Sequence, residues 1–151
     1  MILGVPLTTV ARVSDDGRSA GPSARGTIVI LDERDERFYA APSTIPGAGQ
    51  GLFARVPLRA GDRLVVLGVL VPRDSASDRY TGFADEYKFR AGDCLLIPCG
   101  IAAMANHSSQ PNLTKVVDGD AVFLELMRDV DAGEELCFAY SEYARARYGV
   151  A

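Results

Sequence analysis

Asn106-His107-Ser108-Ser109-Gln110-Pro111-Asn112 sets the chain's single histidine between two asparagines, just after the apolar stretch Ile101 to Ala105. Some twenty residues further on, Gly133-Glu134-Glu135-Leu136-Cys137-Phe138-Ala139-Tyr140 reads as a glycine turn followed by a short strand that ends on a tyrosine. Each segment alone has a plain reading. A lone histidine is more often structural than catalytic, and a tyrosine at a strand end is a packed aromatic whose hydroxyl finds a partner. Cys99 lies near His107 in sequence, so a Cys–His nucleophile pair is conceivable, but no local signature of one surrounds it.

Upstream, Gly49-Gln50-Gly51-Leu52-Phe53-Ala54 fits the loose pattern G-x-G-x-x-A. As a dinucleotide fingerprint that pattern has meaning only between a strand and a helix of several turns. Pro46 precedes it, and Pro57 and Gly61 follow closely, so no crossover helix fits. Two readings stay open: a plain turn, or a backbone loop bare of side chains against which a ligand can lie.

The rest of the chain punctuates itself with glycine and proline. Ser14 to Gly26 is a Ser-, Gly- and Asp-rich loop or linker. Thr27 to Leu31, Arg37 to Ala41, Leu52 to Val56 and Arg63 to Leu70 are strand candidates, the last two separated by a Gly61-Asp62 turn. Pro42 to Gly51 is a turn segment, and Pro72 to Ala84 is polar and reads as an irregular loop. Glu86 to Phe89 and Cys94 to Ile97 are short strands around Gly92-Asp93, and Ile101 to Ala105 has room for one helical turn. Leu113 to Val117 and Ala121 to Met127 form a hairpin across Gly119, and Leu136 to Ala139 is a last strand. Ser141 caps a short helix that runs to Tyr148. Many short strands with little helix mean a β-rich domain.

With 151 residues, 48% hydrophobic and 24% charged, the chain suits one folded domain. No apolar run approaches the roughly 20 residues that cross a bilayer, and Pro6 breaks the short apolar start, so neither a membrane span nor a secretory leader is expected. Cys94, Cys99 and Cys137 are an odd set with no CxxC, read as reduced, mostly buried thiols of an intracellular protein. With one histidine, no metal site is expected. The net charge of −4 disfavours a direct grip on nucleic acid. From Asp118 onward eight acids face three arginines, either a solvated surface or a face that attracts a basic peptide.

Taken in order, the glycine turn with Leu-Phe-Ala, then NHSxxPN, then GEELxFxY resemble the SET domain of protein-lysine methyltransferases, over about Arg37 to Tyr143. The compact layout is most similar to the small viral and bacterial SET proteins. The resemblance implies a mainly β, β-clip-like SET fold: several small sheets, few short helices, and a knot-like core made by the Asn-His and tyrosine segments. Residues 1–36 would be a partly flexible N-terminal extension, and 37–151 the SET domain with a short C-terminal tail. The implied cofactor is S-adenosyl-L-methionine, lined by Ala48, Gly49, Gln50 and Gly51, with Asn106 and His107 at its amino-acid and adenine ends. Tyr140 would border the cofactor as the catalytic tyrosine. Tyr87, Phe138 and Tyr143 are the implied walls of a lysine channel, with Tyr80 a further candidate. Phenylalanine at 138, where the family tunes methyl number, implies room for more than one methyl.

The implied activity is transfer of a methyl to a lysine of a protein or peptide, with a histone tail as the favoured substrate. The alternative is a SET-like binding module without catalysis, against which the intact Asn106, His107 and Tyr140 argue. Methyl transfer from a sulfonium to an amine needs a neutral lysine, alignment and a dry channel. Burial and the sulfonium charge both lower the lysine pKa, so no dedicated base is obligatory. No cysteine-rich segment follows Tyr140, so the zinc-clamped lid of some relatives is not expected. The channel would be closed by the tail, by the N-terminal extension or by a second subunit, which makes a homodimer an expectation. The compartment, cytoplasm or host nucleus, is open at this point.

Overall fold

The computed structural model describes residues 11–12, 35–85, 87–119 and 121–149, without the side chains of 11, 12, 143, 147 and 148. The Thr27–Leu31 strand and nearly all of the N-terminal extension lie outside these residues.

The first hairpin is β2 (Phe38–Pro42) with β3 (Gln50–Ala54), in register from Phe38 opposite Ala54 to Pro42 opposite Gln50. It follows β1 (Ala11–Arg12). Next come β4 (Arg63–Val65), β5 (Gly68–Pro72), helix α1 (Ala76–Tyr80), β6 (Phe89–Ala91) and β7 (Cys94–Pro98). The two-residue β8 (Asn106–His107) precedes the hairpin β9 (Leu113–Asp118) and β10 (Ala121–Leu126). The chain then enters β11 (Glu135–Phe138) and α2 (Glu142–Tyr148). Single 3-10 turns cover Gly82–Ala84 and Ile101–Met104.

Two sheets result. One has the order β1-β5-β7-β6; the other runs β2-β3-β11-β9-β10-β4, with β8 also paired to β11. Alternation builds them: in β10, Val122, Leu124 and Leu126 face inward and are buried. They join Leu52, Leu64, Leu70, Leu96, Leu113 and Leu136 in one core between the sheets. The β-rich architecture of small sheets and few short helices is therefore as the sequence implied.

Three local readings change. The run Arg63 to Leu70 is two strands in different sheets. Val66 N–H still donates to Val122 in one sheet (2.8 Å), whereas the Leu67 carbonyl accepts from Cys99 beside the other. Gly68 permits the switch, because a Cβ there would run into the Ile97 carbonyl. Pro72 to Ala84 is not wholly irregular, since Ser75 Oγ accepts the Asp78 N–H (3.1 Å) and starts α1. Finally, of the three free cysteines only Cys137 is buried, and Cys99 is exposed.

Lys88 fastens the α1 region to the start of β6. Its ammonium meets Asp78 and Asp85, each at 2.6 Å, with its side chain 3% exposed.

Candidate active site

Strand β11 brings the two decisive segments together. It runs parallel to β8, with Cys137 opposite Asn106 and Phe138 opposite His107, and meets β9 where Phe138 faces Leu113. Asn112 locks this seam from a buried position. Its Nδ2 donates to the Glu135 carbonyl (2.9 Å) and to Glu134 Oε1 (3.2 Å), and its Oδ1 accepts the Cys137 N–H (2.8 Å). The Asn112 N–H donates to the Cys137 carbonyl and the Ser108 N–H to the Phe138 carbonyl. This cross-stitching is what the structure presents as the knot-like core.

On the other side of β11 stands the glycine turn. The Glu135 carboxylate accepts from Ser43 Oγ (2.6 Å), the Thr44 N–H (2.7 Å), Thr44 Oγ1 (2.5 Å) and Asn106 Nδ2 (3.3 Å). Burial pushes its pKa up, but these donors outweigh burial and hold it below the ordinary glutamate value. Asn106 Nδ2 also donates to the Gln50 carbonyl (2.9 Å), which ties β8 to the turn. Gly51 is required by close approach, since a Cβ would strike the Glu135 carboxylate. Gly47 and Gly49 are required by their φ of +81° and +73°.

Nothing stands within 4 Å of where a Cβ would be at Gly47 or Gly49. Among the described residues Asn106 Oδ1 has no donor. Bare backbone beside an available acceptor fits the amino-acid end of S-adenosylmethionine. No helix follows the glycines, which sit in a β-hairpin.

Tyr140 closes the seam. Its N–H donates to His107 Nδ1 (3.0 Å), so a neutral His107 ring carries its proton on Nε2. Its hydroxyl donates to the Ala105 carbonyl (3.2 Å), and its ring tilts against Phe138 (4.9 Å) and His107 (5.3 Å). Burial, with Cys137 and Tyr87 adding to it, raises the phenol pKa above the ordinary tyrosine value. The group is therefore a neutral hydroxyl at physiological pH.

Tyr140 opens onto a cavity of about 630 Å³ that Tyr87, Phe89 and Phe138 also line. Ala103, Ala105, Ala139, Ser141 and Ala144 complete the small-residue part of the wall, and Lys88, Arg90 and Lys115 supply charge. The structure thus brings Tyr87, Phe138 and Tyr140 together. It does not bring Tyr80, which is 86% exposed on α1 and absent from the wall. The Tyr143 side chain lies outside the described residues. Ala48 to Gly51, Asn106 and His107 stand outside this wall, gathered around the turn and β8.

Sequence reasoning missed Arg90 and Lys115. Lys115 carried a signal: it lies two residues from Leu113, on the same face of a strand. Among the described residues, none of the acids from Asp118 onward lines the cavity. Glu125 pairs with Arg63 (2.5 Å), Asp129 with Arg59 (2.6 Å), Glu134 with Arg128, and Glu135 serves the turn.

Residues 49–141, more than half of the chain, match the family model described as SET domain. The chain is similar to the histone-lysine N-methyltransferase ATXR7 of Arabidopsis thaliana, at 32% identity over 105 residues. That match covers 60% of this chain but only 7% of the relative. In structure it is similar to Polycomb repressive complex 2 of Chaetomium thermophilum, with a TM-score of 0.59 and 22% identity, over 70% of this chain and 15% of that one. It is also similar to a Plasmodium falciparum protein named for histone methyltransferase activity, with a TM-score of 0.54 and 16% identity, over 70% of this chain and 94% of that one. At such identities the structural likenesses speak for the fold alone. Its motifs joined along one strand and its sequence matched from 49 to 141, the chain belongs to the SET domain family.

Proposed function

We propose that the chain is an S-adenosylmethionine-dependent protein-lysine N-methyltransferase. One observation carries the reading: the Tyr140 hydroxyl, fixed on the Ala105 carbonyl, stands in the wall of an aromatic cavity while its backbone is tied to His107. The cofactor, held by Ala48 to Gly51 with Asn106 and His107, would supply an electrophilic methyl on a sulfonium. A structure of Polycomb repressive complex 2 bound to S-adenosylmethionine supports that choice by fold alone.

The chain's own residues then have definite tasks. Tyr87 and Phe138 flank the apolar stem of an entering lysine, and their faces can take its cationic head. Burial in the cavity lowers the lysine pKa and favours the neutral nucleophile, so His107 is not needed as a base. Its Nδ1 already accepts from Tyr140. Tyr140 is the catalytic residue: as a neutral hydroxyl it orients the amine and accepts weak C–H contacts from the polarised methyl. Phe138 carries no hydroxyl to anchor a water beside the amine, which suits more than one methyl addition. The relatives' names make histone lysines the first substrates to test.

The test is transfer of a labelled methyl to core histones and to a bacterial lysate, with wild type and Tyr140→Phe side by side. We expect a labelled protein band whose rate falls roughly 10²-fold in the variant. Equal rates would remove Tyr140 from its role. Cofactor binding without transfer in either mixture would favour a non-catalytic binding module.

A further inference from the structure

Lys115 occupies an unusual place. It lies directly across β9–β10 from Leu124 and two residues from Leu113, and both leucines are buried. Residues opposite one another in an antiparallel pair share a face, so Lys115 continues the row of these two leucines at the point where β9 has become exposed. Its ammonium donates to the Arg90 carbonyl (2.9 Å) at the cavity wall. Burial first, and the Arg90 guanidinium second, lower its pKa below the ordinary lysine value.

Arg90 lines the same wall from β6. Among the described residues neither cation has an acidic partner, and no Asp or Glu lines the cavity. The third cation of the wall differs, because Lys88 is neutralised by Asp78 and Asp85. Two positive groups without acidic partners repel each other at this wall, and an entering anion relieves that repulsion. A peptide with further basic residues beside its target lysine would meet repulsion at the same point.

We propose that Lys115 and Arg90 form a cationic subsite that selects a target lysine with an aspartate or glutamate beside it in the peptide. The proposal rests on the methyltransferase reading above and narrows its substrate class. A carboxylate is also carried by the amino-acid end of S-adenosylmethionine, so the experiment must separate the two sources.

The full chain is given labelled S-adenosylmethionine and a peptide library with one fixed lysine and degenerate flanks. Wild type should enrich Asp or Glu at one or more flanking positions. In single peptides the acidic residue should raise kcat/KM about tenfold over alanine there, the size expected of a partly buried charge-assisted contact. Lys115→Glu should turn the preference toward Arg or Lys at that position and leave the KM for S-adenosylmethionine unchanged. Lys115→Met, which keeps the apolar stem, should lose the preference, and it replaces the glutamate variant if that one does not fold. A wild-type profile that is flat or favours basic flanks overturns the subsite. Variants that raise the KM for S-adenosylmethionine and keep the peptide preference also overturn it, assigning the cations to the cofactor. Cofactor binding without transfer to any library member would sink the methyltransferase reading itself, and the subsite with it.

Discussion

Replacing Asn112 with alanine strikes the seam where its partners have no alternative. The side chain is 4% exposed and serves two backbone groups of β11, the Cys137 N–H and the Glu135 carbonyl. An orphaned buried polar group costs about 1–3 kcal/mol. Two orphans with a small cavity bring the loss to about 3–5 kcal/mol. The Glu134 contact adds little, because Arg128 also holds that carboxylate. At about 2–4 °C per kcal/mol for a chain of this size, the melting temperature should fall by roughly 10 °C. Asn112→Asp sharpens the test. Aspartate has the same shape and keeps the acceptor for Cys137, but it turns an oxygen toward the Glu135 carbonyl and Glu134. It should therefore cost at least as much as alanine at neutral pH. Urea unfolding followed by circular dichroism, with thermal melts, measures both variants. A melting temperature within about 2 °C of wild type for alanine, or an aspartate variant as stable as wild type, would refute the reasoning.

Gly68→Ala should destabilise by about 3 kcal/mol, since its Cβ would meet the Ile97 backbone carbonyl and not a side chain that can turn away; a urea midpoint like that of wild type would contradict this. Glu135 has its folded pKa below the ordinary value of 4.5. Its stabilising contribution is thus complete above pH 4.5 and disappears as pH falls through the lower folded value. Glu135→Gln should flatten that acid limb of the stability curve, and an unchanged limb would show that the carboxylate does not hold the turn. Asn106→Ala removes the link from β8 to Gln50 and should weaken S-adenosylmethionine binding about tenfold by calorimetry, one lost hydrogen bond to a charged group; an unchanged dissociation constant would argue against that placement of the cofactor.

Sequence patterning revealed the elements that alternate cleanly. Leu113 to Val117 with Ala121 to Met127, and the Ser141 cap of α2, were both readable because side-chain period and cap chemistry are local. The break of Arg63 to Leu70 was hidden, since β-branched residues continue through it and only Gly68 marks the change of sheet. Helix α1 buries no residue, so it has no apolar stripe to read, although Ser75 with Asp78 spells its cap. At the site, Tyr87, Phe138 and Tyr140 came from motif resemblance, and the cavity that joins them depends on β6, β11 and α2 meeting in space. Arg90 is an ordinary exposed strand residue by its neighbours, and nothing local foretells its approach to Lys115.

Strand β11 has a consequence for how the molecule assembles. Remove it and its sheet separates into the β2–β3 hairpin and the β9–β10–β4 unit, which share no direct strand pairing. Leu136 must find Leu52, and Cys137 must find Asn106, across long stretches of chain. Contacts of such sequence separation raise the loop-closure entropy of folding and slow it. The halves can gather locally, but they become one sheet only when β11 wedges between them. Tyr140 follows two residues behind that strand, so the pocket is completed by the same event that completes the fold.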